Sequence, residues 1–251
     1  MDELRMPLTE HLEELRWRLI KALGAVLVAF GFAYQFVDAL LVWLTEPLRA
    51  IDPDKIQLIG TALTEAFFTK LKVSFIAGIF LSSPVILFQI WKFVAPGLYA
   101  SERRYVKPFV FFGTVFFVSG AWFCYALVFP TAFAFFVSQY ETIALQPFLK
   151  ISEYLSFSSR LLLAFGVVFE LPVFTFFFAR IGLVTHRQMI QWFRYAILAI
   201  FVVAAVLTPG PDVASQLLMA GPLLVLYVLS IGVAYAFGKA PPSPDAASSS
   251  P

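Results

Sequence analysis

Phe93-Val94-Ala95-Pro96-Gly97-Leu98-Tyr99-Ala100-Ser101-Glu102-Arg103-Arg104 separates two long apolar runs, and its reading decides the fold. Pro96 and Gly97 stop whatever helix carries Trp91 and Phe93. The apolar run on either side is long enough to cross a bilayer, so the stretch reads as a short loop at a membrane face. Its carboxylate, Glu102, sits beside Arg103 and Arg104, with Lys107 close behind. A lone acid in a basic loop against a membrane is an odd choice unless a cation docks there.

Outward from that loop, composition names the solvent. The chain is 60% hydrophobic and 14% charged, with 30 Phe in 251 residues and a mean hydropathy of +0.84. A soluble domain carries about 25% charged residues, so this is an all-α integral membrane protein. The net charge of +2 and the lack of a basic stripe argue against nucleic acid. Cys124 stands alone, which excludes an internal disulfide and a cysteine metal cage. The first sixteen residues are polar and carry Glu3, Glu10, Glu13 and Glu14, whereas a secretory leader starts basic and turns apolar. Leu19 onward therefore reads as a retained span.

Residues 1–18 predict a short amphipathic helix at the membrane surface. Leu8, Leu12 and Leu15 recur at helical spacing, with Glu10, His11, Glu14 and Arg16 between them. Six spans follow, at about Trp17–Val37, Lys72–Val94, Val106–Phe129, Ser158–Ile181, Tyr195–Leu207 and Val213–Phe237. Ser82 and Ser83 are placed to satisfy the backbone that Pro84 frees inside the second span. The third is expected to end at Pro130. The fifth, at 1.5 Å per residue, reaches roughly 20 Å, short of a hydrocarbon core of roughly 30 Å. Gly221-Pro222 reads as an interruption of the sixth.

Two outer connections, about 38–69 and 131–157, are expected to cap one face. Residues 1–238 thus form a single six-span domain, and the Pro/Ser/Ala-rich tail, 239–251, is expected to be disordered. Six spans place both termini on one side. Sorting the 18 Lys and Arg puts twelve on that side, among them Arg16, Lys92, Arg103, Arg187 and Arg194, and six opposite. The excess makes both termini cytoplasmic.

Glu170 lies near mid-bilayer, roughly 15 Å from each surface. A carboxylate there costs at least about 2.5–3.5 kcal/mol on insertion scales, so it is protonated or meets a polar group of another helix. Pro172 leaves the Val168 carbonyl without its helical donor, so polarity and a kink coincide. The bland reading is a neutral acid that holds the bundle together. Glu102 and Glu14 both closely precede a basic residue. They are either idle salt bridges to Arg103, Arg104 or Arg16, or a pair of carboxylates that receive guanidinium groups.

His11 and His186 have no partner at ligand spacing, so no metal is expected. Neither a zinc-protease motif, a phosphate loop nor a nucleophile elbow is present, and no cofactor or enzymatic activity is expected. By position alone Pro47 stops a helix and Asp212 caps one.

These residues resemble the family of the twin-arginine translocase C subunit (TatC) over about residues 6–238. Met6-Pro7-Leu8-Thr9-Glu10-His11-Leu12-Glu13-Glu14-Leu15-Arg16-Trp17-Arg18-Leu19 is similar to its opening signature, and Phe93 to Arg104 to its second. Val168-Phe169-Glu170-Leu171-Pro172 resembles the third, and Thr208-Pro209-Gly210-Pro211-Asp212 through Gln216 the fourth. Gly97 stands where many relatives carry Ala, and Gly210 adds flexibility beside Asp212.

The resemblance implies a concave six-helix bundle in the cytoplasmic membrane of a prokaryote. It implies a receptor for twin-arginine signal peptides that assembles with single-span TatA and TatB partners, and with other TatC copies. Such a complex exports folded proteins on the proton-motive force. Carried over by position, Glu14 and Glu102 would hold the arginines, with Arg16, Arg103 and Phe93 shaping that site. Glu170, Gln216, Asp212 and Pro47 would meet partner helices or serve assembly. The rivals are a proton-coupled small-molecule transporter using Glu170, which predicts a closed central cavity with further buried acids or bases, and a structural scaffold.

Overall fold

The computed structural model describes residues 8–51, 56–94, 106–142, 147–208 and 213–238. The Asp52-Pro53-Asp54 turn, the Ala95–Tyr105 loop, the Pro209–Asp212 turn and the 239–251 tail lie outside the described residues. The described chain is mostly helical, and its helices include five long and apolar enough to span a membrane plus one shorter apolar helix.

The first of these, α1, runs unbroken from Leu8 to Tyr34. The expected surface helix and first span are therefore one element. Its inward positions are His11, Glu14, Arg18, Ala22, Val26, Phe30 and Ala33, spaced three or four apart. Leu12 and Leu15 point outward, 63% and 41% exposed. Glu10, Glu13 and Arg16 are exposed beside them, while His11, Glu14 and Arg18 are half-buried on the side of α3. Helix α1 lies against α3, Glu65–Val94, at a close approach where a Cβ on Gly78 would stand 2.8 Å from the Phe30 backbone nitrogen.

Prolines shape the spans. Inside α3, Pro84 deprives the Phe80 carbonyl of its donor, and the Ser83 hydroxyl donates to that oxygen at 2.7 Å, as the sequence suggested. In the third span Pro130 does not end the helix. Helix α4, Val106–Phe123, widens into a π turn, Cys124–Val128, where the Phe129 N–H donates to the Cys124 carbonyl. Helix α5, Phe129–Thr142, then continues. The wider turn makes room for a ring that would clash with a regular i−4 carbonyl.

The fourth span starts earlier than expected and is broken: α6 is Ile151–Phe169 and α7 Leu171–Ile181, with Glu170 at the break. Thr185 and Gln188 form a capping box at α8, His186–Gln191. Helix α9, Phe193–Leu207, has 15 residues, roughly 22 Å, so the fifth span is short as expected. Helix α10, Val213–Phe237, passes through Pro222 without interruption.

The outer connections hold structure that the all-helical expectation missed. The first contains α2, Val37–Arg49, and the strand β1, Gln57–Ile59. The second ends in β2, Phe148–Lys150. The two strands pair in parallel, Gln57 opposite Phe148 and Ile59 opposite Lys150. Glu65, 7% exposed, fastens this pairing. One of its oxygens accepts from the backbone N–H groups of Thr61 at 2.6 Å and Ala62 at 3.1 Å. The other accepts from Ser152, from the hydroxyl at 2.5 Å and the N–H at 3.2 Å. The carboxylate therefore ties the segment leading into α3 to the first turn of α6.

At the opposite end, His11 stacks on Phe93, Trp91 packs on Phe177 and Phe176 on Phe237. The start of α1 and the end of α10 thus share one end of the bundle.

Replacing Glu65 by Ala removes hydrogen bonds from Thr61, Ala62 and Ser152, each worth about 0.5–1.5 kcal/mol, or somewhat more with a charged acceptor. A Glu65→Ala variant is expected to melt several degrees lower in detergent, with faster amide exchange confined to residues 57–65 and 148–152.

Candidate functional site

Glu14 reaches its place because α1 carries it on the stripe that faces α3. Its Oε1 accepts from Arg18 twice, from Nε at 3.1 Å and more closely from Nη2. The pair is one helical turn apart, the spacing at which acid and base meet. Glu14 Oε2 is buried without a hydrogen-bond partner, and His11 Nδ1 stands 3.9 Å from it, too far to donate. The His11 ring stacks on Phe93 with centroids 4.3 Å apart and planes at 20°. Glu14, His11, Arg18 and Phe93 therefore form one cluster at the junction of α1 and α3.

Arg16 is not in that cluster. Two residues from Glu14, it lies on an exposed face of α1, so the salt bridge considered between Glu14 and Arg16 is made by Arg18 instead. Glu102 and Arg103 lie outside the described residues, as does Asp212.

Glu170 occupies the break between α6 and α7 and is 4% exposed. The break follows from Pro172, which has no N–H to donate to Val168; the Glu170 N–H closes on Val167 instead at 3.1 Å. Both carboxylate oxygens are buried without a hydrogen-bond partner. They point at α4, where Gly113 leaves a notch: a Cβ there would stand 3.1 Å from Oε2, 3.4 Å from Oε1 and 3.2 Å from Leu87 Cδ1. Among the described residues the carboxylate thus meets no donor, an uncommon state for a buried polar group.

A cavity of about 390 Å³ between α1, α2, α3, α4 and α6 is lined by apolar side chains such as Phe32, Trp43, Phe80 and Trp122, with Ser159 among them. Glu170 is not in its wall.

Pro47 is buried within α2 and does not stop it, since the helix continues to Arg49. The carbonyl that Pro47 frees, on Trp43, accepts from the Tyr125 hydroxyl at 3.0 Å, and the two rings stack at 4.0 Å. Pro47 thus creates the acceptor by which α2 docks on the π turn. Gln216 donates from Nε2 to the Phe201 carbonyl at 2.9 Å, so α10 is pinned to α9 near the outer turn.

The sequence reading missed Arg18 as the partner of Glu14, although the i,i+4 spacing offered that signal. It also missed Gly113, for which no local signal exists, since the notch is defined only across helices.

The family model described as Sec-independent protein translocase protein (TatC) matches residues 10–222. The chain is 47% identical over 239 residues to the Sec-independent protein translocase protein TatC of Desulforapulum autotrophicum, covering 95% of this chain and 87% of that one. To its counterpart in Carboxydothermus hydrogenoformans it is 43% identical over 234 residues, covering 93% and 95%. The crystal structure of a twin arginine translocase receptor TatC superposes with a TM-score of 0.80 at 36% identity, covering 89% of this chain and 97% of that chain. A structure of such a receptor in the detergent DDM gives 0.82, again at 36% identity, covering 92% and 100%.

The notch at Gly113 yields a coupled pair of variants. Gly113→Val should push the Glu170 carboxylate out of its place and destabilise the chain by about 1–3 kcal/mol. Adding Glu170→Ala should restore at least half of that loss in a double-mutant cycle read by thermal unfolding.

Proposed function

The chain belongs to the TatC family of Sec-independent protein translocase proteins, and from this we propose that it receives the twin-arginine signal peptides of folded cargo. It is a multi-pass membrane protein and a transport component rather than an enzyme. The end of the bundle that gathers Arg16, Arg18, Lys92, Arg180, Arg187 and Arg194 faces the cytoplasm of a prokaryotic inner membrane, by the excess of positive charge. There Glu14 and Glu102 bind the two arginines, with Phe93, Arg16 and Arg103 shaping the entrance. One observation carries this reading: Glu14 is set on the inward stripe of α1 with a guanidinium already bound to its carboxylate.

Partners of the TatA and TatB type dock from the lipid. Among the described residues Glu170 has no donor, and a polar group on a partner's membrane helix would meet that need at depth. Gln216 and Pro47 support this docking by fixing α9, α10 and α2, and Asp212 lies between the last two spans. Other copies of the chain complete the assembly, which moves folded cargo on the proton-motive force.

A charge-assisted hydrogen bond contributes about 1.5–3 kcal/mol, and about 1.4 kcal/mol is tenfold in affinity. Glu14→Ala or Glu102→Gln is therefore expected to weaken capture of a twin-arginine peptide by about 10- to 100-fold while the chain stays folded. Equal capture by wild type and the double variant would refute the assignment. Glu170→Ala is expected to reduce co-purification of the small partners without altering peptide capture.

A further inference from the structure

Lys72 on α3 and Arg160 on α6 are exposed cations in the capped half of the bundle, away from the termini. Both helices start at the cap, and just below it the Lys72 ammonium donates to the Ser156 hydroxyl at 2.8 Å. Lys72 and Lys92 stand twenty residues apart in α3, roughly 30 Å, the depth of a hydrocarbon core. Lys72 and Ser156 therefore lie at the boundary of that core, and Arg160 lies one helical turn inside it.

An arginine at that depth is costly unless it meets an anion. Among the described residues neither cation does. Asp38 is taken by Lys70 at 2.6 Å, and Glu153, two turns above Arg160, by Lys150 at 3.5 Å. Side chains of a helix lean toward its N-terminus, so the Arg160 guanidinium rises toward Ser156 and the boundary.

Directly below is the apolar cavity of about 390 Å³. Ile76, one turn below Lys72, and Ser159, one turn below Ser156, both belong to its wall. It is open toward lipid, since Phe32, Phe36 and Trp122 in that wall are more than half exposed. Ser159 is 3% exposed, yet its hydroxyl has no hydrogen-bond partner. In order of depth, the face offers two cations, an unmet hydroxyl donor and an apolar hollow. A phospholipid presents, in the same order, a phosphate, ester carbonyls and acyl chains.

We propose that this face binds one anionic phospholipid, of which phosphatidylglycerol is the simplest. Lys72 and Arg160 hold the phosphate, and Ser156 steadies Lys72. Ser159 donates to an ester carbonyl, and one acyl chain fills the cavity against Trp43, Phe80 and Trp122. A phosphatidylcholine carries the same phosphate beside a fixed positive charge, which the two cations repel. Head charge therefore sets the preference, by about tenfold for two basic groups at the surface. The bland alternative is that both side chains reach water unaided and favour no lipid.

The test reconstitutes the full chain carrying Trp17→Phe and Trp192→Phe into bilayers that mix phosphatidylglycerol and phosphatidylcholine. Trp91 is 1% exposed, so Trp43 and Trp122 remain as the lipid-facing tryptophans. Their quenching is read with one lipid or the other brominated on its chains. Brominated phosphatidylglycerol is expected to quench at about tenfold lower mole fraction than brominated phosphatidylcholine. Lys72→Gln with Arg160→Gln should bring the two lipids level, whereas Lys72→Arg with Arg160→Lys should keep the preference. Should the neutral double variant fail to fold, each single neutral variant should lose part of it. Ala77→Phe, which fills the cavity, should lower quenching by the phosphatidylglycerol chain to the phosphatidylcholine level. No preference in the parent chain, or one that survives neutralisation in the folded variants, overturns the site. Undiminished quenching in Ala77→Phe overturns the cavity as the seat of the chain, and displacement of the lipid by millimolar inorganic phosphate overturns the lipid as its occupant.

Discussion

Every carbonyl held in hydrocarbon needs a donor from within the protein, and this chain places prolines inside its helices, where each removes one. Four of these prolines show four answers to that demand. Ser83 supplies a hydroxyl to Phe80. Tyr125 supplies one to Trp43 and thereby joins α2 to the third span. Pro130 is met by widening the helix into a π turn. Pro172 is met by breaking it, and the break is where Glu170 sits. The acid thus sits at a break that one residue, Pro172, produces. The local cost of the proline and the cost of the buried carboxylate fall at the same place.

The same economy of polar groups bears on α1. Leucines of its first turns stay outside, where lipid accepts them, and of its polar side chains His11, Glu14 and Arg18 share the stripe that faces α3. That stripe brings Glu14, Arg18, His11 and Phe93 together. It also means that the charged end of the bundle is ordered by contacts between helices rather than by solvent.

What could be read from the sequence was whatever depends on composition and local chemistry. Five long apolar helices and a short one follow from run length, and the Ser83 bond follows from a hydroxyl beside a proline. The family signatures placed the candidate residues in order along the chain. Distant partners stayed hidden. Gln57 finds Phe148 and Glu65 finds Ser152 across more than eighty residues, so neither strand nor staple has a local signature. Three-residue strands carry too little alternation to be seen at all. Gly113 was invisible for the same reason: its importance is the space opposite another helix. Pro130 misled because a proline that ends a helix and one that widens it look alike until the neighbouring turns are known.

The π turn also keeps time. Phe109 and Val128 are both buried and stand nineteen residues apart. At about 100° per residue of regular helix they would drift out of phase by about 100°. One surplus residue in a single turn restores the difference, much as an added day realigns a calendar. The outer half of the span therefore keeps Phe129, Phe133 and Val137 turned inward, on Leu155 and Phe165, while Phe109 of the inner half packs with Trp91 and Phe177.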